Sequence, residues 1–178
     1  MTPVDVVFLP EAPAHDSAIE HINEEAFGPG RYTRAAYKIR EGGPHERALS
    51  FVAMRGGEVV GSVRMTRIAV GESTALLLGP LAVRPAHKNL GIGRRLVEMA
   101  VAAAARAGYG AILLVGDEPY YGPLGFTRIP RGRVKMPRPV DPSRLLVREI
   151  TQGAAHGLAG EVTHADLAKP QEPARAVA

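Results

Sequence analysis

Residues 78–96 read Leu78-Gly79-Pro80-Leu81-Ala82-Val83-Arg84-Pro85-Ala86-His87-Lys88-Asn89-Leu90-Gly91-Ile92-Gly93-Arg94-Arg95-Leu96. The run from Ala75 to Val83 is almost continuously apolar, the composition of a central strand buried on both faces. Gly79-Pro80 interrupts it; a proline cannot donate to a ladder, so a bulge or a local splay is expected there. A loop with two glycines one residue apart follows. A helix rich in Ala and Leu comes next, expected over Gly93 to Ala107 and ended by Gly108 at C′. Glycines let the backbone approach a ligand closely and expose successive N–H groups. The helix start adds unpaired N–H groups and a positive partial charge, so the whole forms an anion site best matched by a pyrophosphate. Lys88, Arg94 and Arg95 add positive charge.

Two familiar nucleotide loops do not fit. A Walker loop needs Gly-x-x-x-x-Gly-Lys-Ser/Thr, and no such run is present. A dinucleotide fingerprint needs a third glycine where Leu96 stands, and the linker from Val83 to Gly91 is long for that turn. On spacing alone, Gly91-x-Gly93 does not separate an anion loop from an ordinary helix start.

Working outward, Val4 to Leu9 reads as a first strand. Ile19, Ile22, Ala26 and Phe27 recur at helical spacing, with Asp16 or Ser17 as N-cap. Thr33 would cap a second short helix reaching about Lys38. Leu49 to Arg55 and Val59 to Ile68 read as strands joined by a hairpin at Arg55-Gly56-Gly57-Glu58. Ala111 to Val115 is a short buried strand and Pro119 to Leu124 a short helix or turn. Phe126 starts another strand, Arg128 to Pro142 an Arg/Pro-rich loop, and Leu145 to Ile150 a last strand. Val162 to Leu167 adds a strand or a short helix. The strand–helix–strand unit over residues 76–115 implies a parallel, right-handed crossover, and the class is mixed α/β. We expect one domain over residues 1–168 and a frayed tail over 169–178.

Composition narrows the function classes. The 178 residues are 46% hydrophobic and 22% charged, within the globular range. There is no cysteine, which removes disulfides, thiolate metal sites and a cysteine nucleophile. With that and no apolar signal core after Met1, a cytoplasmic home is expected, and no membrane span is legible because Glu98, Arg106, Gly108 and Gly110 break the most apolar stretch. The formal charge of +4 permits an anionic ligand. Four Phe, five Tyr and no Trp supply a base-stacking platform poorly, so no nucleic-acid partner is expected. The six histidines (15, 21, 45, 87, 156 and 164) show no i,i+4 pair, so no metal site is expected. Ser50, Ser62 and Ser73 sit in no nucleophile elbow.

The longer pattern resembles motif A of the GNAT N-acetyltransferase superfamily, Gln/Arg-x-x-Gly-x-Gly/Ala after a strand ending in Val-x-Pro. Lys88 stands where Gln or Arg is usual and keeps the charge. Tyr121-Gly122-Pro123-Leu124-Gly125-Phe126 is similar to the family's Tyr-x-x-x-Gly-Phe. With Gly116-Asp117-Glu118-Pro119-Tyr120 before it, the wording looks like the bacterial branch of small predicted acetyltransferases. The resemblance implies the GNAT fold, a mixed central sheet with splayed strands flanked by helices, and acetyl-CoA as co-substrate between the strands Ala75 to Val83 and Ala111 to Val115. Leu81, Ala82 and Val83 would meet the pantetheine arm, with backbone pairing by Leu81 and Val83. Backbone N–H groups of Lys88, Asn89, Leu90, Gly91, Ile92, Gly93 and Arg94 would hold the pyrophosphate. Tyr121 would donate the proton to the CoA thiolate, and Tyr120 is expected in the core.

No general base is legible, because Ala75 to Val83 contains no acid. Glu72, Asp117 and Glu25 are nominal candidates, each also readable as a solvated surface acid. Deprotonating a lysine-like amine at neutral pH costs roughly 4–5 kcal/mol and an α-amine only about 1, so a weak base favours an α-amine, an aromatic amine or a water relay. The resemblance places the acceptor between residues 27–37 and 129–140. Arg128, Arg131, Arg133, Lys135 and Arg138 on the second segment form either a basic rim for an acidic acceptor or a solvated loop. Arg64 and Arg67 either reach the same cleft or pair on the surface. The reading is direct acetyl transfer to a primary amine of a small molecule or peptide. A CoA-binding sensor without catalysis and a nucleic-acid-binding protein are the rivals, and a homodimer is in keeping with the resemblance.

Overall fold

The structure, a computed structural model, describes residues 5–168. The tail expected over 169–178 and the start of the first expected strand, Val4, lie outside the described residues. The elements run β1 (Val7–Pro10), α1 (Asp16–Phe27), α2 (Ala35–Arg40), β2 (Phe51–Arg55), β3 (Glu58–Val70), β4 (Ser73–Val83), α3 (Ile92–Arg106), β5 (Ala111–Val115), α4 (Glu118–Tyr121), β6 (Thr127–Arg128), β7 (Val134–Lys135), β8 (Leu145–Glu149) and β9 (Gly160–His164). One mixed sheet has the order β1-β2-β3-β4-β5-β8-β6. β3 is long enough to serve two neighbours on one edge: its first half pairs with β2, and Ile68 to Val70 pair with β9.

Period-2 alternation assigns each central residue to a face. Leu76 and Leu78 of β4, with Ile112 and Leu114 of β5, pack under Leu96, Val97, Ala100 and Ala104 of α3. Ala75, Leu77, Ala111 and Leu113 point to the opposite layer, against Ile39, Val147, Leu158 and Val162. Both faces are covered, which is why these strands read as continuous apolar runs. Leu96, fully buried, alone contributes about 1.5–3 kcal/mol of burial free energy.

Two features of β4 shape the site. Opposite it, β3 advances from Val63 to Met65 while β4 advances from Leu81 to Leu78, so Gly79-Pro80 form a bulge facing Arg64. β4 and β5 are parallel but paired only at Leu76↔Ile112 and Leu77↔Leu113. Beyond these the strands part, and the edge of β4 carrying Leu81, Ala82 and Val83 has no strand beside it on that side.

Several local expectations are corrected. Neither Asp16 nor Ser17 caps α1; His15 is at the N-cap, and Asp16 instead binds two arginines. Thr33 does not cap α2, whose N-cap is Arg34; its hydroxyl donates to the Gly30 carbonyl at 2.8 Å. Of the strand or short helix expected over Val162 to Leu167, the strand forms, as β9 held on β3. Tyr120 is not core: it is 46% exposed, and its partner Tyr121 is the one packed against the main cluster.

Candidate active site

A cavity of about 1220 Å³ opens where β4 and β5 part. Its walls are α1, α2, the β4 bulge, the loop entering α3, and residues 115–121 and 139–144. It exceeds the roughly 300–1,000 Å³ of a site for one drug-sized ligand, so two molecules can be accommodated.

The first part is the loop before α3. Asn89 and Gly91 take left-handed backbone conformations, φ 62° and 76°. These reversals turn successive N–H groups outward, and α3 begins at Ile92. Among the described residues, nothing accepts a hydrogen bond from the backbone N–H groups of residues 89–94. The expectation for Lys88 is corrected: its N–H donates to the Pro85 carbonyl at 3.3 Å, so it offers its exposed side chain instead. Arg94 also keeps an exposed side chain, shared with Glu98 at 3.2 Å. At Gly93 a Cβ would lie 2.5 Å from the hydroxyl oxygen of Tyr120, the free end of an exposed side chain.

The second part is the open edge of β4. Leu81, Ala82 and Val83 all line the cavity. Val63, Ser62 and Gly61 of β3 hold their other edge. Tyr121 lines the cavity too, with its ring edge-on to Tyr120 (4.8 Å) and Phe126 (5.8 Å). Gly116 leaves room for that ring, since a side chain there would collide with it. Burial pushes the Tyr121 hydroxyl well above the usual phenol range, helped by Tyr120 and Asp117. It therefore keeps its proton at neutral pH.

The third part was not legible in the sequence. Glu11 has a fully buried side chain and receives hydrogen bonds from Arg47 Nη1 (2.8 Å) and from Arg64 Nε and Nη2 (both 3.0 Å). His45 Nε2 lies 2.8 Å from the same carboxylate. Burial alone would raise the Glu11 carboxyl, but hydrogen bonds from His45 and Arg64, and their charges, hold it below the usual carboxylate range. His45 and Arg64 line the cavity. With Nε2 on Glu11, the His45 Nδ1 has no partner among the described residues. Glu11 and His45 are 34 residues apart, in two unrelated turns, and no spacing rule connects them.

The candidate bases from the sequence fare differently. Asp117 lines the cavity, but it is exposed and accepts from Arg144 Nε at 3.0 Å. Glu25 pairs with His21 along α1 at 3.1 Å, and Glu72 is exposed in the β3–β4 turn. Of the two readings of the basic residues over 128–138, a rim for an acidic acceptor or a solvated loop, the contacts favour the loop. Arg128 pairs with Glu118, Arg133 donates to the His156 carbonyl, and Arg138 donates to the Tyr32 carbonyl, while Arg131 and Lys135 line a separate cavity. Arg64 reaches the cleft and Arg67 is a surface residue paired with Glu46 and Asp166. Among the described residues, no group of three or more His, Asp or Glu side chains could hold a metal ion. No helix among them is long and apolar enough to cross a membrane.

Comparison with known proteins adds independent findings. Residues 17–126 match the family model of the acetyltransferase (GNAT) family. The uncharacterized N-acetyltransferase YjhQ of Escherichia coli is 30% identical over 114 residues, 62% of this chain and 63% of that protein. The uncharacterized N-acetyltransferase YhbS of Escherichia coli is 26% identical over 157 residues, 86% of this chain and 93% of its own. A YhbS crystal structure in complex with CoA superposes with a TM-score of 0.78, covering 92% of each chain at 23% identity. A GNAT-family acetyltransferase from Brucella melitensis in complex with acetyl-CoA gives a TM-score of 0.67 at 24% identity, covering 92% of this chain and 99% of its own. Both superpositions identify the fold.

Proposed function

That the chain belongs to the acetyltransferase (GNAT) family is the premise from which we propose an acetyl-CoA-dependent N-acetyltransferase, moving the acetyl group directly to a primary amine of a small molecule or peptide. The observation that carries this reading is the row of backbone N–H groups at residues 89–94, free of acceptors at the mouth of the cavity. Such a row at a helix start suits a diphosphate. Asn89, Leu90, Gly91, Ile92, Gly93 and Arg94 bind it through the backbone, and Lys88 adds a charge beside them. The open edge of β4 at Leu81, Ala82 and Val83 suits an arm carrying amide groups, which adds to the sheet as an extra strand. The relatives crystallised with CoA and with acetyl-CoA support the same class of co-substrate here.

Acetyl-CoA, when bound, supplies an acyl thioester. The protein has to expose a neutral amine to it and to stabilise charge on the departing sulfur, which takes up the second proton the nitrogen loses as the amide forms. His45 is the group best suited to take the proton from the ammonium, because the buried Glu11 carboxylate orients its ring and leaves Nδ1 free. Tyr121, kept protonated by burial, donates a hydrogen bond to the departing sulfur. An ordinary phenol lies about 1.5 units above a thiol, so full proton transfer is uphill by roughly 2 kcal/mol and more for a buried tyrosine. Tyr121 therefore stabilises charge on sulfur chiefly through the hydrogen bond. With no cysteine in the chain, no thiol is present to carry the acetyl group between the two substrates.

Calorimetric titration with acetyl-CoA, CoA and NAD tests the first half of this reading. Both CoA species are expected to bind and NAD to give no heat; the absence of CoA binding overturns it. Thiol release with a panel of amines tests the second half. Tight CoA binding without turnover on any amine would favour a sensor.

A further inference from the structure

Six arginines line the cavity: Arg31, Arg34, Arg40, Arg64, Arg94 and Arg144. Five have partners. Arg31 donates to the Gly28 carbonyl, Arg34 lies over the Phe27 ring, Arg64 binds Glu11 and Asp16, Arg94 binds Glu98, and Arg144 binds Asp117. The guanidinium of Arg40, at the last position of α2, has neither hydrogen bond nor ion pair among the described residues, and its Nε is sealed from solvent. Its guanidinium rests on the β4 bulge, with Nη2 2.9 Å from where a Gly79 Cβ would stand. The cavity's acids do not offset it: Glu41 is taken by Lys38, Asp117 by Arg144, and Glu20 faces Arg64. Asp141 accepts from the Ser143 amide and hydroxyl. Burial, with Arg64 and Arg34 nearby, depresses the Arg40 guanidinium to about 10, so it is still charged at neutral pH. A buried charge without a partner is unfavourable, and such groups are paired in a complete structure.

The surroundings point the same way. Of the buried side-chain polar atoms without partners among the described residues, Asn23 Oδ1, Arg40 Nε, Thr66 Oγ1 and His87 Nδ1 belong to residues that line this cavity. Thr66 sits on β3 opposite Leu77, two positions before Gly79 on β4. Arg40 and Thr66 thus flank the bulge, beside the open β4 edge.

We propose that Arg40 is the acceptor's anchor: it binds a carboxylate borne close to the reacting amine, so the acceptor class is free amino acids. The planar fork of a guanidinium matches a carboxylate with two parallel hydrogen bonds. Arg40, Arg64 and His45 line the same cavity; Arg64 faces the bulge on which the Arg40 guanidinium rests and shares Glu11 with the proposed base His45, so a carboxylate on Arg40 and an amine before His45 belong to one small acceptor. This inference rests on the acetyl-transfer reading above.

The test is thiol release from acetyl-CoA with the standard L-amino acids, each compared with its carboxamide and with a peptide carrying it at the N-terminus. At least one free amino acid is expected to react with a kcat/KM ten-fold or more above both counterparts. Arg40→Met is expected to abolish that preference, mainly by raising KM at least 30-fold, and Arg40→Lys to recover part of it. Arg40→Met is also expected to melt no lower than the parent, because it removes an unpartnered buried charge, and to bind acetyl-CoA within two-fold of it. Equal turnover of acid and carboxamide overturns the anchor while leaving acetyl transfer standing. An equal fall in kcat on charged and neutral amines in Arg40→Met assigns the guanidinium to the reacting oxygen and overturns it too. Failure of the parent protein to bind acetyl-CoA overturns the reading beneath it.

Discussion

Glu11→Gln is the sharpest probe of the buried network. The wild-type carboxylate accepts hydrogen bonds from Arg47, Arg64 and His45, and its side chain has no exposure to water. An amide of the same shape loses the charge and turns an NH₂ group toward guanidinium donors. Breaking a buried ion pair from one side typically costs about 3–5 kcal/mol. The lower end applies, because Asp16 remains bonded to both arginines and Arg47 is one-third exposed. At about 3 kcal/mol, and about 2–4 °C per kcal/mol for a chain of this size, the melting point falls by about 6–12 °C. The Glu11 carboxyl is held low in the folded state, so its contribution is present above the ordinary carboxylate pKa and is lost as pH falls through the folded value. Thermal unfolding of both proteins should therefore show a full gap near neutral pH that narrows in acid, below about pH 4. A drop under about 2 °C, or a gap that stays constant into strong acid, would refute the reasoning. If Glu11 also orients His45, kcat falls in the same variant while acetyl-CoA affinity does not change.

Three further outcomes follow from the site. His45→Ala should lower kcat by about 100-fold with acetyl-CoA binding intact, and added imidazole should restore part of the rate; unchanged turnover removes the base role. Tyr121→Phe should lower kcat by about 10- to 100-fold without moving KM for acetyl-CoA, and unchanged turnover in a steady-state assay removes the donor role. Burial holds the Tyr121 proton, so the parent rate should show no alkaline fall from this group until above about pH 10. Gly93→Ala places a methyl 2.5 Å from the Tyr120 hydroxyl oxygen, the free end of an exposed side chain that can swing aside, and should cost under about 1 kcal/mol of stability. Adding Tyr120→Phe should recover the melting point, because the next ring atom lies 3.8 Å away; no recovery means the strain lies elsewhere.

The element order and the parallel crossover were readable because the central strands are buried on both faces and α3 carries a strong Ala/Leu pattern. The bulge was readable because proline cannot donate to a ladder. Helix starts were read less well. Asp16 has the chemistry of a cap, but two arginines from later in the chain draw its carboxylate away. Tyr120 and Tyr121 were assigned in the wrong order of burial, since which aromatic ring enters the core depends on Gly116 and Phe126 rather than on local sequence. The arginines of residues 128–138 could be read as a substrate rim or as a solvated loop, and only the fold decides, with backbone carbonyls, Glu118 and a second cavity taking them up.

By itself the sequence determined the strand–loop–helix unit over residues 75–107, its family, and the glycine at 91 that the turn requires. These follow from contacts a few residues long, where hydropathy period, proline chemistry and glycine's freedom leave few alternatives. Only the tertiary structure decided the acceptor side. The Glu11–His45 contact spans 34 residues and the Glu11–Arg64 contact 53, and each needs the sheet before it can form. Arg40 is an ordinary charged residue in its own helix. It becomes an unpartnered cation only when α2 is laid against the β4 bulge, and burial is a property of the whole fold.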